Sequence, residues 1–445
     1  MAKFNSVSPA RVIAFEILRR VEAGAYASVL LASREGDLQS HDKALCHELV
    51  MGVLRRQLWL DRLTELYTKR KVDALDQSVR IALRLGLYQL RFLSRVPPSA
   101  AVNESVNLVH VARVSSAASL VNAILRRAAR EPEVDPAVNL RDPIERLAVT
   151  SSHPPWLIER WSKAFGASEA EAFAHANNQP APVAFRVVKE RADEAEVIGL
   201  LREAGADLVH STVTPCAWRV SGAGPLIAEL AAAGRIYLQD EASQMVAWAL
   251  GTEPGERVLD LCAAPGSKTT HIGDLSLDSG LIVASDLYEH RLRTVNSSAR
   301  LQQLGSIHCV ALDGLQYLPF SEGCFDRVLV DAPCSGTGTL RRNPEIRWRI
   351  SPADIRDLAK RQKTLLFNAA RVVKPGGRLI YSTCSVEPEE NEKVVQTFLE
   401  NKEGFRVVEL NLNRALWTSS GAARTWPHRE GTDGFFICAF ERTSR

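Results

Sequence analysis

The sequence lacks any apolar run near the roughly 20 residues needed to cross a bilayer. Residues 50–54 and 379–381 are among its apolar stretches, and Arg19 and Arg20 break the first one. No membrane span and no secretory leader is therefore expected. It also lacks a Cys-X-X-Cys pair. The eight cysteines (Cys46, Cys216, Cys262, Cys309, Cys324, Cys334, Cys384 and Cys438) are scattered without a nearby histidine ligand pattern, which argues against zinc, and no metal is expected. In a chain this long without a secretion signal they read as reduced thiols of a cytoplasmic protein, mostly small buried side chains. A composition of 46% hydrophobic and 24% charged residues over 445 positions excludes disorder, collagen-like repeats and a small disulfide scaffold, and the length suggests two to three domains.

Charge is unevenly placed. Residues 1–150 hold 22 Lys and Arg against 16 Asp and Glu, a balance of +6, and the remainder carries 33 against 36. Eighteen of the 22 cations are arginine, whose planar fork suits phosphate, so nucleic acid is a candidate partner. Across this basic third apolar residues recur at spacings of three and four, as in Ile13, Ile17 and Val21 or Val79, Leu83, Leu87 and Leu90, predicting a helical domain. Pro97-Pro98 punctuates it, and the acidic, Pro-bearing stretch 131–136 reads as a linker. After a helix over 155–165 come β-like runs at 183–188 and 217–220, with helices over 193–203 and 226–233: a small α+β module whose boundary near Arg235 is soft.

From residue 239 onward short apolar runs at 257–261, 281–285, 308–312, 327–330 and 378–383 alternate with helices. They predict a mostly parallel sheet covered on both faces, in which ligands sit at the carboxyl ends of the strands. The first run ends in Asp260-Leu261-Cys262-Ala263-Ala264-Pro265-Gly266-Ser267-Lys268-Thr269-Thr270. This small-residue turn lets backbone approach a ligand, yet is neither a Walker A loop nor Gly-X-Gly-X-X-Gly, which counts against a nicotinamide dehydrogenase. The second ends at Asp286, able to accept hydrogen bonds from both ribose hydroxyls; the third at Asp313-Gly314, able to face an adenine amino group; the fourth at Asp331-Ala332-Pro333-Cys334. Any one of these aspartates could be a helix cap, but together they outline a nucleoside-shaped site. The fifth ends in Ser382-Thr383-Cys384-Ser385, so two cysteines lie at neighbouring strand ends. Arg341, Arg342, Arg347 and Trp348 follow the first of them and are expected to track phosphates and stack a base. Residues 387–392 read as an acidic helix start rather than a metal site.

With these motifs in view, the chain resembles the S-adenosylmethionine-dependent RNA cytosine-C5 methyltransferases, and within them the RsmB/Fmu group acting on bacterial small-subunit rRNA. The matching motifs are residues 260–269, Asp331-Ala332-Pro333-Cys334-Ser335-Gly336-Thr337-Gly338, residues 341–348 and Ser382-Thr383-Cys384-Ser385. The resemblance covers essentially the whole chain. It implies an all-α NusB-like RNA-binding domain over 1–140, a ferredoxin-like α+β module over 141–235 and a Rossmann-like α/β methyltransferase domain over 236–445. Residues 41–56 look like part of the first, and 152–161 like the start of the second. One departure is Ser267, where the family usually has a second glycine. The implied cofactor is S-adenosyl-L-methionine, held by Cys262, Ala263, Ala264, Pro265, Gly266, Ser267, Lys268, Asp286, Asp313 and Asp331. The implied partner is naked or partly assembled 16S rRNA, at cytosine 967, met by a monomer.

Carbon 5 of cytosine is too electron-poor to attack a sulfonium methyl until a nucleophile adds at carbon 6, and a thiolate does this well. An ordinary thiol near pKa 8.5 is only a few per cent ionised at pH 7, about 2 kcal/mol from fully ionised, so the site must help. Lys268 is the candidate positive neighbour, and Asp331 the candidate partner of the cytosine N3 and amino edge. Chemistry leaves open which cysteine attacks. The resemblance assigns attack to Cys384 and resolution of the adduct to Cys334, whereas DNA cytosine enzymes attack from the Pro-Cys motif. A tRNA- or protein-methylating enzyme and a non-catalytic RNA-binding factor remain the competing readings.

Overall fold

The computed structural model describes residues 7–131 and 134–443, so residues 132 and 133 of the expected linker lie outside the described residues. The chain divides into two compact units, residues 1–180 with 340–349, and residues 181–339 with 350–445. Among the described residues no helix is long and apolar enough to cross a membrane.

In the first unit the three-and-four spacing becomes packed helices. Helix Gln77–Phe92 is capped by Asp76, whose carboxylate accepts from Ser78 N at 2.8 Å, and it buries Ile81, Leu83, Leu85 and Leu87. Pro98 opens helix Pro98–Val111 from the first-turn position, where its missing N–H costs nothing. The buried Arg84 is held in a fork by Asp61 at 2.7 Å through two nitrogens and by Glu22 at 2.6 Å. Helices Pro143–Ser151, Pro155–Phe165 and Ala167–Ala176 complete this unit around the fully buried Trp161 and Phe173.

The second unit holds two sheets. Strands β1 (Val183–Val187), β2 (Asp207–His210), β3 (Ala217–Ser221) and β4 (Ile236–Leu238) form an antiparallel sheet in the order β2-β3-β1-β4. Residues 236–238, ambiguous in sequence, pair with β1, Phe185 opposite Leu238, and so belong to this small sheet. Strand β2 was not expected: an edge strand with no buried residue, it offers no apolar alternation to read.

The larger sheet comprises β5 (Arg257–Asp260), β6 (Leu281–Asp286), β7 (Ile307–Ala311), β8 (Phe325–Asp331), β9 (Val373–Thr383), β10 (Phe405–Val407), β11 (Ala423–Arg424) and β12 (Phe436–Arg442). Its order is β10-β12-β9-β8-β5-β6-β7, with β11 pairing β12. Strands β5 to β9 are parallel, as expected. The three last strands are antiparallel and make the sheet mixed. Leu259, Val328, Val330, Leu379 and Phe436 pack on one face, and Val258, Leu329, Ile380 and Ile437 on the other, so both faces are buried. The chain winds outward from β5 to β7 in one direction and from β8 to β9 in the other. The crevice of such a sheet lies where the order reverses, between the carboxyl ends of β5 and β8. Register pairs Asp260 with Ala284 and Leu329, Asp286 with Ala311, and Asp331 with Ser382.

Candidate active site

The turn after β5 leads into helix Ser267–Leu275, with Ser267 as its first residue. Gly266 adopts φ +106°, and a Cβ there would lie 3.0 Å from the Val295 backbone, so glycine is required by the close approach of helix Glu289–Leu301. Asp260 accepts from Thr269 Oγ1 at 2.7 Å, while its other oxygen is buried without a donor among the described residues. Burial, opposed by Thr269 and reinforced by Asp331, pushes its carboxyl up to about 7. Asp286 is nearly buried and accepts from Arg291 Nη1 at 3.0 Å and Tyr288 N at 3.2 Å; the same guanidinium reaches Ala264 O at 3.1 Å, tying the turn to this carboxylate. Asp313 accepts from Leu315 N at 3.0 Å within its own turn. A partnerless buried carboxylate oxygen, a second carboxylate at the next strand end and exposed Leu287 and Tyr288 beside it fit the hydroxyls and apolar ring of a nucleoside.

Across the crevice Lys268 Nζ lies 2.7 Å from Asp331 Oδ2, and Asp331 Oδ1 accepts from Ser382 Oγ at 2.8 Å. Burial alone would lower the Lys268 pKa, but Asp331, then Cys384 and Asp260, outweigh it and raise the pKa, so the ammonium is retained. The structure brings the two strand-end cysteines together. Cys334 Sγ stands 3.3 Å from Cys384 Sγ, within hydrogen-bonding range for sulfur. The loop carrying Cys334 is locked against the other by Gly338 N donating to Cys384 O at 2.9 Å. A Cβ on Gly338 would lie 1.9 Å from Gly434 O, so only glycine permits this approach. The hydrogen bond to Cys384, then burial and the negative charges of Cys384 and Glu390, raise the Cys334 thiol far above its ordinary value. The Cys334 thiol therefore keeps its proton.

Residues 387–392, read as an acidic helix start, lie mostly before the helix and only Glu392 opens it. The helix is Glu392–Asn401, and Glu387 and Glu390 are fully buried before it. Sequence reasoning missed Glu390 and the serines it binds. The available signal was the dipeptide Cys-Ser, repeated at both strand ends. Among the described residues no group of His, Cys, Asp and Glu is arranged to hold a metal ion.

Comparison with known proteins places this geometry. The NusB family model matches residues 8–130, the RsmF/B-like ferredoxin-like domain residues 153–226 and the 16S rRNA methyltransferase RsmB/F model residues 247–441. The probable ribosomal RNA small subunit methyltransferase B of Bacillus subtilis is 33% identical over 97% of this chain and 98% of its own. The chain belongs to the RsmB/F methyltransferase family. The ribosomal RNA small subunit methyltransferase B of Klebsiella pneumoniae is also 33% identical, over 97% of each chain. A solved methyltransferase homolog protein from Pyrococcus horikoshii, 28% identical, superposes with a TM-score of 0.60 on 68% of this chain and 100% of its own. The methyl donor of this methyltransferase is S-adenosylmethionine.

In this RsmB/F chain the segment after the Cys334 loop is not a phosphate track. Residues 340–349 belong to the helical unit, and Arg347 is fully buried there. It donates to Ser152 O at 3.1 Å, Asn178 Oδ1 at 2.9 Å and Asn177 O at 3.2 Å, and burial lowers its pKa to about 9, with Arg55 and Arg56 adding to the effect. Arg341 is buried, Trp348 donates to Leu54 O at 3.2 Å, and Arg349 donates to Val21 O at 2.6 Å and Gly24 O at 3.1 Å. These carbonyls terminate helices, where acceptors lack intrahelical donors and positive charge is favoured. Replacing Arg347 by alanine leaves several buried acceptors unpaired and is expected to destabilise the helical unit by about 3–5 kcal/mol. Thermal unfolding measures this; an unchanged melting temperature would contradict the structural role.

Proposed function

We propose that this chain methylates carbon 5 of a cytosine in 16S rRNA, by resemblance cytosine 967, through a covalent bond between Cys384 and carbon 6. The observation that carries the reading is the pair of strand-end cysteines 3.3 Å apart, in the crevice that also holds the Lys268–Asp331 ion pair. S-adenosylmethionine, when bound, supplies an electrophilic methyl group on a sulfonium. The residues that would hold it are 262–268, Asp286 and Asp313, with Asp331 near the sulfonium.

The protein side of the reaction follows from the contacts. The Cys384 sulfur adds to carbon 6 as the proton of its thiol passes to N3, and the Asp331 carboxylate accepts hydrogen bonds from N3–H and the amino group. Lys268 holds that carboxylate in place and contributes positive charge beside the Cys384 sulfur. Carbon 5, now enamine-like, is competent for alkylation. The carbon-5 proton then passes to solvent water, the electron pair it leaves expels the sulfur from carbon 6, the N3 proton returns to that sulfur, and the Cys334 thiol donates its hydrogen bond to the Cys384 sulfur as it departs. The target base must be unpaired or extruded at a cost of about a few kcal/mol. The basic NusB-like domain supplies the salt-dependent phosphate attraction that orients the RNA.

Bisulfite sequencing of rRNA from cells with and without the gene tests the product directly. A protected 16S cytosine that disappears with the gene is expected, and an unchanged 16S pattern with loss in tRNA would move the substrate. For the cofactor, Asp286→Ala is expected to weaken S-adenosylmethionine binding about 10- to 100-fold in isothermal titration, since charge-assisted hydrogen bonds to the ribose are lost. Wild-type affinity in that variant would be incompatible with the ribose role.

A further inference from the structure

Cys334 and Cys384 are each followed by a serine, and both serines meet one buried carboxylate. Glu390 Oε1 accepts from Ser335 N and from Gln362 Nε2, each at 2.9 Å, and Oε2 accepts from the hydroxyls of Ser335 and Ser385. Those hydroxyls are themselves 3.0 Å apart. Gln362 Nε2 also reaches Pro333 O at 2.9 Å, directly before Cys334. The next residue, Asn391, accepts from Thr383 Oγ1 at 2.6 Å and donates to Ser385 O at 2.8 Å, gripping both neighbours of Cys384.

We infer that Glu390 is a positioning residue whose buried carboxylate, shared by Ser335 and Ser385, holds the Cys334 and Cys384 loops at the separation their sulfur chemistry requires. The inference rests on the cysteine mechanism proposed above and adds to it the device that sets its geometry.

Burial raises the Glu390 pKa, and the hydrogen bonds from Ser335, Ser385 and Gln362 oppose it; four donors converging on two oxygens favour the ionised form, which is acceptor-only, since a protonated carboxyl would turn a donor toward one of them. No cation pairs with Glu390 among the described residues, so hydrogen bonds alone hold the charge. A glutamine of the same shape would aim an NH2 group at hydroxyl or amide donors. The charge has a second consequence, because Glu390 is among the influences that keep the proton on Cys334. One carboxylate thus bears both on where the two sulfurs sit and on how firmly Cys334 holds its proton.

The test compares full-length wild type with Glu390→Gln and with the double variant Ser335→Ala/Ser385→Ala. S-adenosylmethionine affinity is read by isothermal titration, methyl transfer to 16S rRNA across pH, and covalent capture on 5-fluorocytosine RNA. Glu390→Gln is expected to bind the cofactor within about twofold of wild type and to lose about 100-fold in kcat, as charged hydrogen bonds are worth that order. Removing the negative charge makes Cys334 more acidic, so the alkaline limb of its rate profile moves to lower pH by about one unit. The serine double variant keeps the charge, and is expected to lose rate without moving that limb, a contrast that loss of packing alone would not produce. Wild-type kcat and an unmoved limb in Glu390→Gln overturn the inference; should that variant fail to fold, wild-type kcat in the serine double variant overturns it equally. Absence of covalent capture by the wild-type protein would instead sink the underlying cysteine mechanism, so the two failures are told apart.

Discussion

Serine at position 384 stops methylation while leaving the cofactor in place: Cys384→Ser is expected to lose about 10⁴-fold or more in rRNA methylation, with S-adenosylmethionine affinity unchanged within about twofold. A serine hydroxyl is a far weaker acid than a thiol and needs an adjacent base to attack carbon 6. The neighbour at 3.3 Å is the Cys334 sulfur, whose proton is tightly held, and the Lys268 ammonium is already engaged by Asp331 at 2.7 Å. Neither accepts a proton, so the hydroxyl stays neutral. Transfer of labelled methyl to 16S rRNA, measured on the preparation used for isothermal titration, reads both quantities together. A normal rate in this variant would falsify attack by Cys384. Transfer lost instead in Cys334→Ser, with Cys384→Ser merely slow to release its product, would exchange the two roles.

The carboxyl ends of β5, β6 and β8 were legible because buried parallel strands read as short apolar runs that stop at a polar residue, and here each stops at aspartate. Asp260, Asp286 and Asp331 fall there in the structure, while Asp313 lies two residues past β7, in a turn. What sequence order did not give is sheet order. The apolar run over 435–440 contains most of β12, yet nothing local says that it inserts antiparallel beside β9, with Phe436 opposite Thr383. Arg347 and Glu390 were misread for a related reason. Charged residues near prolines invite a reading as phosphate contacts or as a helix start when their partners are distant in sequence. The Arg347 acceptors lie about 170 to 195 positions away, and Ser335 lies 55 from Glu390. A buried charge is tolerated only when such partners are supplied, and local patterning cannot show them. The two cysteines were identifiable as a pair from their motifs. That their sulfurs touch, and that one carboxylate braces both loops, depended on the pairing of Asp331 with Ser382.

Alanine at position 334 separates the two halves of the reaction. Cys334→Ala is expected to carry out the first methyl transfer at close to the wild-type rate and then to remain bonded to its RNA, with steady-state turnover falling about 100- to 1,000-fold, within the range for a lost acid–base group. The geometry predicts this asymmetry. In the proposed mechanism addition at carbon 6 uses the Cys384 sulfur and the Lys268–Asp331 pair, none of which the substitution removes. On that proposal elimination returns negative charge to Cys384, and the donor placed to meet it is the Cys334 thiol at 3.3 Å. Its raised pKa keeps it protonated through neutral pH, so the donor is present at every turnover. Without it the departing sulfur loses the hydrogen bond that makes it a stable leaving group, and the adduct persists. A denaturing gel reads the outcome as a protein–RNA species that survives detergent and disappears on proteolysis. Adding Cys384→Ala to the same chain should abolish that species, showing which sulfur holds the RNA. Free multiple turnover by Cys334→Ala, with no trapped species, would mean that the pair's short separation serves packing and that release depends on another donor.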